Sequence, residues 1–195
     1  VRGLFDTGST NTWILNEAVK LPNGAQKEYS FKPELSSSFA ETEQRAFIQF
    51  GSGALSGNFV TDDVRLGSCD GQSSGQVHIA HQKFGNVLKQ KTIFNGDNFE
   101  AIVGMAYPAL AEKGVTPVFD EMMGQKLLAS NMFAFYLTTQ EEEAQKGRKS
   151  DLTLGYYDES KFTGAVDWHD IKLKYMFGVQ LDDMLVGGKP LNICQ

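Results

Sequence analysis

The sequence has few cysteines, few prolines and no long hydrophobic run. It holds 2 Cys and 5 Pro in 195 residues, which excludes the dense disulfide framework of small secreted domains. No apolar stretch approaches the ~18 residues that a membrane-spanning helix needs. The 41% of hydrophobic residues, the 20 Gly and the 14 Phe are instead typical of a soluble, β-rich globular protein. The chain is long enough for one core and part of another.

An excess of positive charge is also missing. The 18 Lys and Arg against 24 Asp and Glu give a formal net charge of −6. The basic residues are scattered, which argues against nucleic acid as a partner. The histidines His78, His81 and His169 are unclustered and have neither metal-ligand spacing nor a nucleophile nearby. We therefore expect no metal and no cofactor.

The most informative segment is Asp6-Thr7-Gly8-Ser9, which follows the apolar pair Leu4-Phe5 and precedes Trp13. It places a carboxylate in a tight polar turn between apolar segments. Apolar strands can exclude bulk water, a glycine lets a second backbone approach, and hydroxyls can hydrogen-bond the carboxylate oxygens. Asp, Thr and Gly also form ordinary turns, so this segment alone leaves both interpretations open.

Further segments follow in a fixed order along the chain. Residues 47–57 have a glycine-rich centre and precede the strand-like 58–66, which predicts a β-hairpin with a glycine-rich tip. Residues 99–108 form an apolar strand that ends in a turn, and Thr116-Pro117 predicts the start of a short helix. Other short apolar runs predict strands at 77–80, 132–138 and 152–155. The charged run 141–149 between the last two is interpreted as a solvated hairpin tip.

In this order, the segments resemble the pepsin-like aspartic endopeptidases, and the resemblance covers the chain from Val1 to Gln195. It implies an all-β, bilobal fold with short helices. Residues 1–165 would form the N-terminal catalytic lobe without its first strands, and residues 166–195 would begin the C-terminal lobe. The family carries a second Asp-Thr-Gly or Asp-Ser-Gly turn, and none follows Ser9. We therefore expect a fragment that stops just short of the second turn and is inactive by itself.

The resemblance implies an endopeptidase that cleaves between hydrophobic residues. Two aspartates that share one proton would activate a water, which attacks the peptide directly without an acyl-enzyme. Asp6 would be one of the two. Gly8 would support it through its backbone N–H and Ser9 through a hydroxyl hydrogen bond to the outer carboxylate oxygen, while Thr7 would lie at the lobe interface.

The hairpin at residues 47–57 would be a flap over the substrate, with Gly51, Ser52 and Gly53 against the peptide backbone. Phe50 stands where the family usually has a tyrosine, whose hydroxyl accepts a hydrogen bond from the tryptophan that corresponds to Trp13. Phenylalanine has no oxygen, so we expect a looser flap. Some apicomplexan parasite aspartic proteases are similar in having Phe here, which makes a plasmepsin-like branch one candidate origin.

The resemblance also implies an apolar pocket for the residue before the scissile bond, which would favour large hydrophobic or aromatic side chains. Its candidate lining residues are Leu4, Phe50, Phe94, Phe99 and Ile102. All five could equally be core residues, and both interpretations stay open at this point.

The two cysteines have no assigned partners. Cys194 falls where the resemblance expects the first cysteine of a small disulfide loop, whose second cysteine would lie beyond Gln195. Cys69, in the turn-like residues 67–75, departs from the family pattern. Each could also be a free thiol or a small buried hydrophobe, and pairing between them stays open.

The expected partners are peptide and protein substrates and statine-type inhibitors. The resemblance further implies a monomeric full-length enzyme, made as a zymogen, in the secretory pathway, a vacuole or lysosome, or outside the cell. One alternative is a catalytically inactive pepsin-fold binding protein, which the replaced flap tyrosine favours and the intact Asp6 turn opposes. A second alternative is a retroviral-type homodimer, but that class of protein has a short chain with the catalytic turn well inside it, whereas here Asp6 lies near the start of 195 residues. The second catalytic turn would discriminate between enzyme and binding protein.

Overall fold

The structure, a computed structural model, describes residues 1–50, 53–67, 76–91, 93–95 and 98–193. The expectations for Gly51, Ser52, Cys69, Cys194 and the side chain of Phe50 lie outside the described residues. The chain divides into two compact units, one of Val1–Glu121 with His169–Gln195 and one of Met122–Trp168. The lobe boundary between residues 165 and 166 remains a prediction.

The all-β prediction is confirmed, because strands dominate the described residues and both α-helices found there are short. The strands are β1 (Gly3–Asp6), β2 (Trp13–Leu15), β3 (Ala40–Phe50), β4 (Gly53–Leu66), β5 (Val77–Lys91), β6 (Ala101–Gly104), β7 (Phe133–Tyr136), β8 (Asp151–Leu154), β9 (Leu173–Lys174), β10 (Phe177–Gly178), β11 (Leu185–Val186) and β12 (Lys189–Pro190). The helices are α1 (Val118–Gly124) and α2 (Gln140–Lys146), with 3-10 turns at Pro33–Leu35, Pro108–Leu110 and Glu159–Lys161.

A six-stranded sheet forms the first unit, with the strand order β1-β6-β2-β5-β4-β3. The pairs β1–β6 and β2–β5 are parallel, and the other neighbours are antiparallel. The parallel pair β1–β6 and the antiparallel pair β2–β6 place the strand that ends at Asp6 and the strand that begins at Trp13 on either side of β6. The sheet therefore gathers the segments around the predicted catalytic turn, although they are far apart in the sequence.

The predicted hairpin at residues 47–57 is confirmed as the end of a longer hairpin of β3 and β4. Its register runs from Ala40 opposite Thr61 to Phe50 opposite Gly53, with an irregularity near its base. Ala46 is buried and Phe47 is 63% exposed, which is the alternation expected of a strand with one face on the core. This hairpin is continuous with β5, which pairs with β4 along most of its length.

The core of the first unit is aromatic and lies against β2. Trp13, Phe59 and Phe94 are almost fully buried, and the rings of Trp13 and Phe59 lie 5.7 Å apart between centroids. Full burial of such a side chain stabilises the fold by about 1.5–3 kcal/mol. The remaining buried members of this cluster are Leu15, Val19, Ala46, Leu55, Val87, Ile93, Ile102 and Val115.

The second unit contains the antiparallel pair β7–β8 and the helix α2 between them. The charged run 141–149 lies in this connection between two antiparallel strands and is exposed over most of its length, which confirms its interpretation as a solvated hairpin tip. The connection also contains the helix at residues 140–146, which the sequence interpretation did not include. Thr139 and Glu142 form a reciprocal capping box that satisfies donors at the helix start. Gly147 ends the helix in a left-handed conformation, with φ 64°.

Residues 169–193 add two small hairpins to the first unit. One pairs β9 with β10, and the other pairs β11 with β12 across Gly187 and Gly188, whose positive φ angles of 57° and 77° suit a two-residue turn. The ring of Phe177 lies 5.0 Å from that of Tyr107, between centroids. Within the described part of the chain, no helix combines the length and the apolar character that crossing a bilayer requires.

Candidate active site

Asp6 is the last residue of β1, and its half-buried side chain lies at the start of a tight turn. The Gly8 N–H donates a hydrogen bond to Asp6 Oδ1 at 2.9 Å. The backbone oxygen of Asp6 accepts from the N–H of Met105 at 2.8 Å. The first bond orients the carboxylate, and the second fixes the turn to the end of β6.

Two glycines around this turn are closely packed. A Cβ atom at Gly8 would lie 3.2 Å from Asp6 Oδ1, and one at Gly104 would lie 2.7 Å from the Cα atom of Thr10. The second distance is shorter than real Cβ atoms allow, so the turn packs directly on the backbone of β6. Sequence reasoning missed Gly104, although a glycine inside an apolar strand is a signal of close backbone approach.

Ser9 and Thr7 do not contact the Asp6 carboxylate through their side chains in the described structure. Ser9 Oγ is buried without a hydrogen-bond partner, and Thr7 is exposed. The hydrogen bond expected from Ser9 to the outer carboxylate oxygen is therefore not made in this structure, because no acceptor lies within reach of its hydroxyl. The Gly8 amide is the donor that the fold provides, and the roles of Ser9 and Thr7 remain predictions.

The polar residues that follow the turn tie it to the segment after β6. Thr10 Oγ1 donates to the backbone oxygen of Tyr107 at 3.2 Å, and Asn11 Oδ1 accepts from the N–H of Glu112 at 3.1 Å. Both side chains are buried. Sequence reasoning did not single them out. Their signal is a short polar run directly between the turn and a buried strand, where each polar group needs a partner.

The candidate pocket residues divide into two groups. Phe94 and Ile102 are buried in the same cluster as Trp13, and the partly buried Phe99 packs against it, edge-to-face with Phe94 at 5.7 Å between centroids. Leu4 is 47% exposed and lies outside this cluster, although it is opposite Ile102 in the β1–β6 register. The structure thus brings three of the five candidates together with Trp13. For Phe94 and Ile102 it favours the core interpretation.

Trp13 has a buried hydrogen-bond donor without an acceptor. The side chain is 1% exposed, and its Nε1 atom has no hydrogen-bond partner within the described ranges. A buried donor in this state costs about 1–3 kcal/mol. The indole packs against Gly85, where a Cβ atom would lie 2.7 Å from the Cζ3 atom of Trp13. From the sequence, Phe50 has no oxygen that could accept from this donor, and the consequence for the flap remains a prediction.

A row of three amides, two of them buried and one half-buried, links the strand after the catalytic turn to the hairpin. Asn16 Nδ2 donates to Asn86 Oδ1 at 3.0 Å, and Asn86 Nδ2 donates to Asn58 Oδ1 at 3.3 Å. Asn16 follows β2, Asn86 is in β5 and Asn58 is in β4. The three residues connect β2, which follows the Asp6 turn, with the base of the β3–β4 hairpin. Sequence reasoning missed this row because its members are separated by up to 70 residues.

A family model described as eukaryotic aspartyl protease matches residues 2–195. The chain belongs to this family. The match covers the Asp6 turn, the β3–β4 hairpin and the aromatic cluster around Trp13, so the segments that the sequence singled out lie inside the aspartyl protease region.

Curated aspartyl proteases are similar to the chain over nearly all of its length. It is 37% identical over 187 residues to cathepsin E of Rattus norvegicus, which covers 94% of the chain and 44% of that protein. It is 35% identical over 198 residues to cathepsin D of Homo sapiens, with 98% and 47% covered. Embryonic pepsinogen of Gallus gallus is 31% identical over 184 residues, with 94% and 44% covered. The chain spans less than half the length of these relatives.

Proposed function

We propose that the protein of which this chain is part is an aspartic endopeptidase, with Asp6 as one of its two catalytic carboxylates. The observation that carries the proposal is the intact Asp6-Thr7-Gly8-Ser9 turn at the end of β1, with the Gly8 amide bonded to the carboxylate, in a chain of the aspartyl protease family. The 195 residues contain one such turn. The proposal therefore requires the second carboxylate from another part of the protein.

The proposed chemistry follows from two carboxylates close together. Two like charges at short distance cannot both ionise, so the pair holds one proton and titrates as a unit. The ionised group takes a proton from a water while the other donates to the carbonyl oxygen of the scissile peptide bond, and the water adds to the carbonyl carbon. At Asp6, the Gly8 N–H would stabilise the ionised carboxylate and hold its orientation during this step.

The proposed substrates are peptides and proteins with hydrophobic residues at the cleavage site. Among the candidate pocket residues, the partly buried Phe99 and the 47% exposed Leu4 would supply the apolar surface for these side chains, with the buried Phe94 and Trp13 packed behind Phe99. The β3–β4 hairpin would close over the substrate with its tip at residues 50–53. The proposed enzyme is a monomer that is made as a zymogen and is inhibited by statine-type compounds. Its proposed location is the secretory pathway, a vacuole or a lysosome.

Cleavage of a hydrophobic peptide by the full-length protein at acidic pH tests the proposal. We expect cleavage that a statine-type inhibitor blocks, and a loss of at least ~100-fold in kcat for Asp6→Asn, because a group that transfers a proton contributes about that much or more. Asp182→Asn is the matched control, since the Asp182 side chain is exposed and accepts a hydrogen bond from the neighbouring Gln180 Nε2 at 3.3 Å. It should leave cleavage unchanged.

Two results would contradict the proposal. Cleavage that survives Asp6→Asn would remove Asp6 from the mechanism. A full-length protein that binds the inhibitor or a hydrophobic peptide but cleaves neither that peptide nor others, and lacks an Asp in its second turn, would be the inactive pepsin-fold binding protein instead.

A further inference from the structure

The connection between β7 and β8 carries the densest group of basic residues in the chain. Lys146, Arg148 and Lys149 fall within four positions, and Arg148-Lys149 is the only pair of adjacent basic residues in the 195. Residues 147–150 are exposed and belong to no helix or strand. Neither Arg148 nor Lys149 has an ion pair or side-chain hydrogen bond in the described structure. An endopeptidase that recognises basic side chains would therefore find both accessible.

The helix that precedes this segment is weakly held. α2 has seven residues and none of them is buried. Its side-chain contacts are exposed: the capping box of Thr139 and Glu142 (3.1 and 3.3 Å), the hydrogen bond from Gln145 to Glu141 (2.8 Å) and the ion pair of Lys146 with Glu142 (3.9 Å). A helix of this length without a packed face is not stable alone. Residues 139–150 can therefore unfold locally at small cost, as protease binding in an extended conformation requires.

The strands on either side are held by contacts that a cut in the connection would not remove. β7 and β8 pair from Phe133 opposite Leu154 to Tyr136 opposite Asp151. Lys161 Nζ binds Asp151 Oδ2 at 2.7 Å and lies 4.8 Å from the centre of the Tyr136 ring. The backbone N–H of Gly155 donates to Met132 at 2.8 Å. These contacts join residues on both sides of the connection.

We propose that the β7–β8 connection is a processing site for a trypsin-like endopeptidase, one with an acidic pocket for a basic side chain. Hydrolysis of the peptide bond after Arg148 or Lys149 adds one water and leaves a carboxylate on that residue and a free ammonium group on the next. The product is a two-chain form in which β7 and β8 belong to different chains and stay paired. The inference does not depend on the proposed peptidase activity.

Five other basic residues are poorer sites for such an enzyme. Lys32 and Lys189 are followed by proline, whose ring removes the amide N–H of the bond. Arg45 and Arg65 lie in the paired strands β3 and β4. Lys20 is exposed in a loop, but the adjacent Val19 is buried in the aromatic core cluster. Cleavage next to Lys20 therefore requires part of the core to open, whereas the β7–β8 connection does not.

Limited proteolysis of the folded full-length protein with trypsin tests this site. We expect the first new amino terminus to be Lys149 or Ser150, and the two products to elute together under native conditions and to separate in denaturant. The triple variant Lys146→Gln, Arg148→Gln, Lys149→Gln should slow the first cut at least tenfold. Lys20→Gln, the matched control, should leave its rate unchanged.

A second variant tests whether the helix α2 must unfold before the cut or whether exposure of the basic residues is sufficient. Thr139→Ala removes the hydroxyl of the capping box and leaves every basic residue in place, so the first cut should become about fivefold faster. An unchanged rate would show that the helix does not need to open. A first cut elsewhere, an undiminished rate in the triple variant, or separation of the two products under native conditions would overturn the proposal.

Discussion

The buried carboxylate of Glu100 is clamped by Arg2 at the start of the strand pair that carries Asp6. Arg2 Nη2 lies 2.6 Å from Glu100 Oε1, and the Nε and backbone N–H groups of Arg2 both donate to Oε2, at 3.2 and 3.1 Å. The Glu100 side chain has no exposed surface. Arg2 directly precedes β1 and Glu100 directly precedes β6, so one ion pair fixes the entrance of both strands.

Because of this ion pair, the free energy of unfolding should decrease as the solution becomes acidic. Burial raises the pKa of Glu100, but the hydrogen bonds and the charge of Arg2 outweigh it, so the pKa lies below its ordinary value. A carboxyl group whose pKa is lowered by folding stabilises the fold above its unfolded pKa, about 4.3, and loses this contribution as the pH falls through its folded pKa. As the pH is lowered from about 5 to 2, the melting temperature of Glu100→Gln should therefore fall less steeply than that of the unaltered protein.

Arg2→Gln should reverse this dependence. Without the guanidinium, burial dominates the pKa of Glu100, which then rises above its ordinary value. The backbone N–H of residue 2 still donates to Glu100 Oε2, but the loss of both guanidinium hydrogen bonds to the buried carboxylate costs about 1–3 kcal/mol, and protonation relieves that cost. The variant should thus be destabilised at neutral pH and approach the unaltered protein as the pH falls. Melting curves from pH 7 to 3 measure this, and parallel curves for the two proteins would disprove it.

Gly104→Ala should damage both the fold and the Asp6 turn. The added Cβ would lie within 2.7 Å of Thr10 Cα, and backbone atoms cannot move aside as a side chain can, so we expect a loss of about 1–3 kcal/mol. Gly124→Ala is the matched control, since a Cβ there has nothing within 4 Å and Gly124 is the last residue of α1. Urea unfolding of both variants measures the difference. An equal stability for the two would show that the turn does not pack on β6 as described.

Asn86 should be the most sensitive member of this row of three amides. Asn86→Ala leaves Asn16 Nδ2 and Asn58 Oδ1 without these partners. The buried Asn16 amide then costs about 1–3 kcal/mol if it stays unsatisfied, and the half-buried Asn58 can turn to solvent. Asn98→Ala, at an exposed position, should change the free energy of unfolding by less than about 0.5 kcal/mol. If Asn86→Ala unfolded at the same urea concentration as Asn98→Ala, the row would not stabilise the fold.

The sequence predicted the elements whose signal is local. The β3–β4 hairpin follows from a glycine-rich tip between alternating runs, and the Asp6 turn from four consecutive residues. β5 was predicted only over residues 77–80, because the polar residues beyond them interrupt the apolar pattern. In the fold those residues are satisfied by distant groups: Gln82 Nε2 donates to the backbone oxygen of Thr116 at 2.9 Å, and Asn86 joins the amide row.

Contacts between distant residues could not be predicted in this way. The Arg2–Glu100 pair joins residues 98 positions apart, and nothing in either local sequence marks the other. The need for glycine at position 104 likewise depends on where Thr10 lies. The helix α2 was missed for a different reason. Its many charged residues were interpreted as a solvated turn, although the Thr139–Glu142 capping box, a local signal of a helix start, is present in the sequence.

Because β1 pairs with β6, the two strands of this pair are synthesised at well separated times. Gly3 faces Ala101 in this pair, so the nascent chain exposes the Asp6 turn long before its partner strand exists. At about 5–20 residues per second, the interval is about 5–20 s. Throughout that time Leu4 and Phe5 lack β6, the strand that pairs with them in the finished sheet, so this apolar strand is synthesised well before the partner that covers its edge.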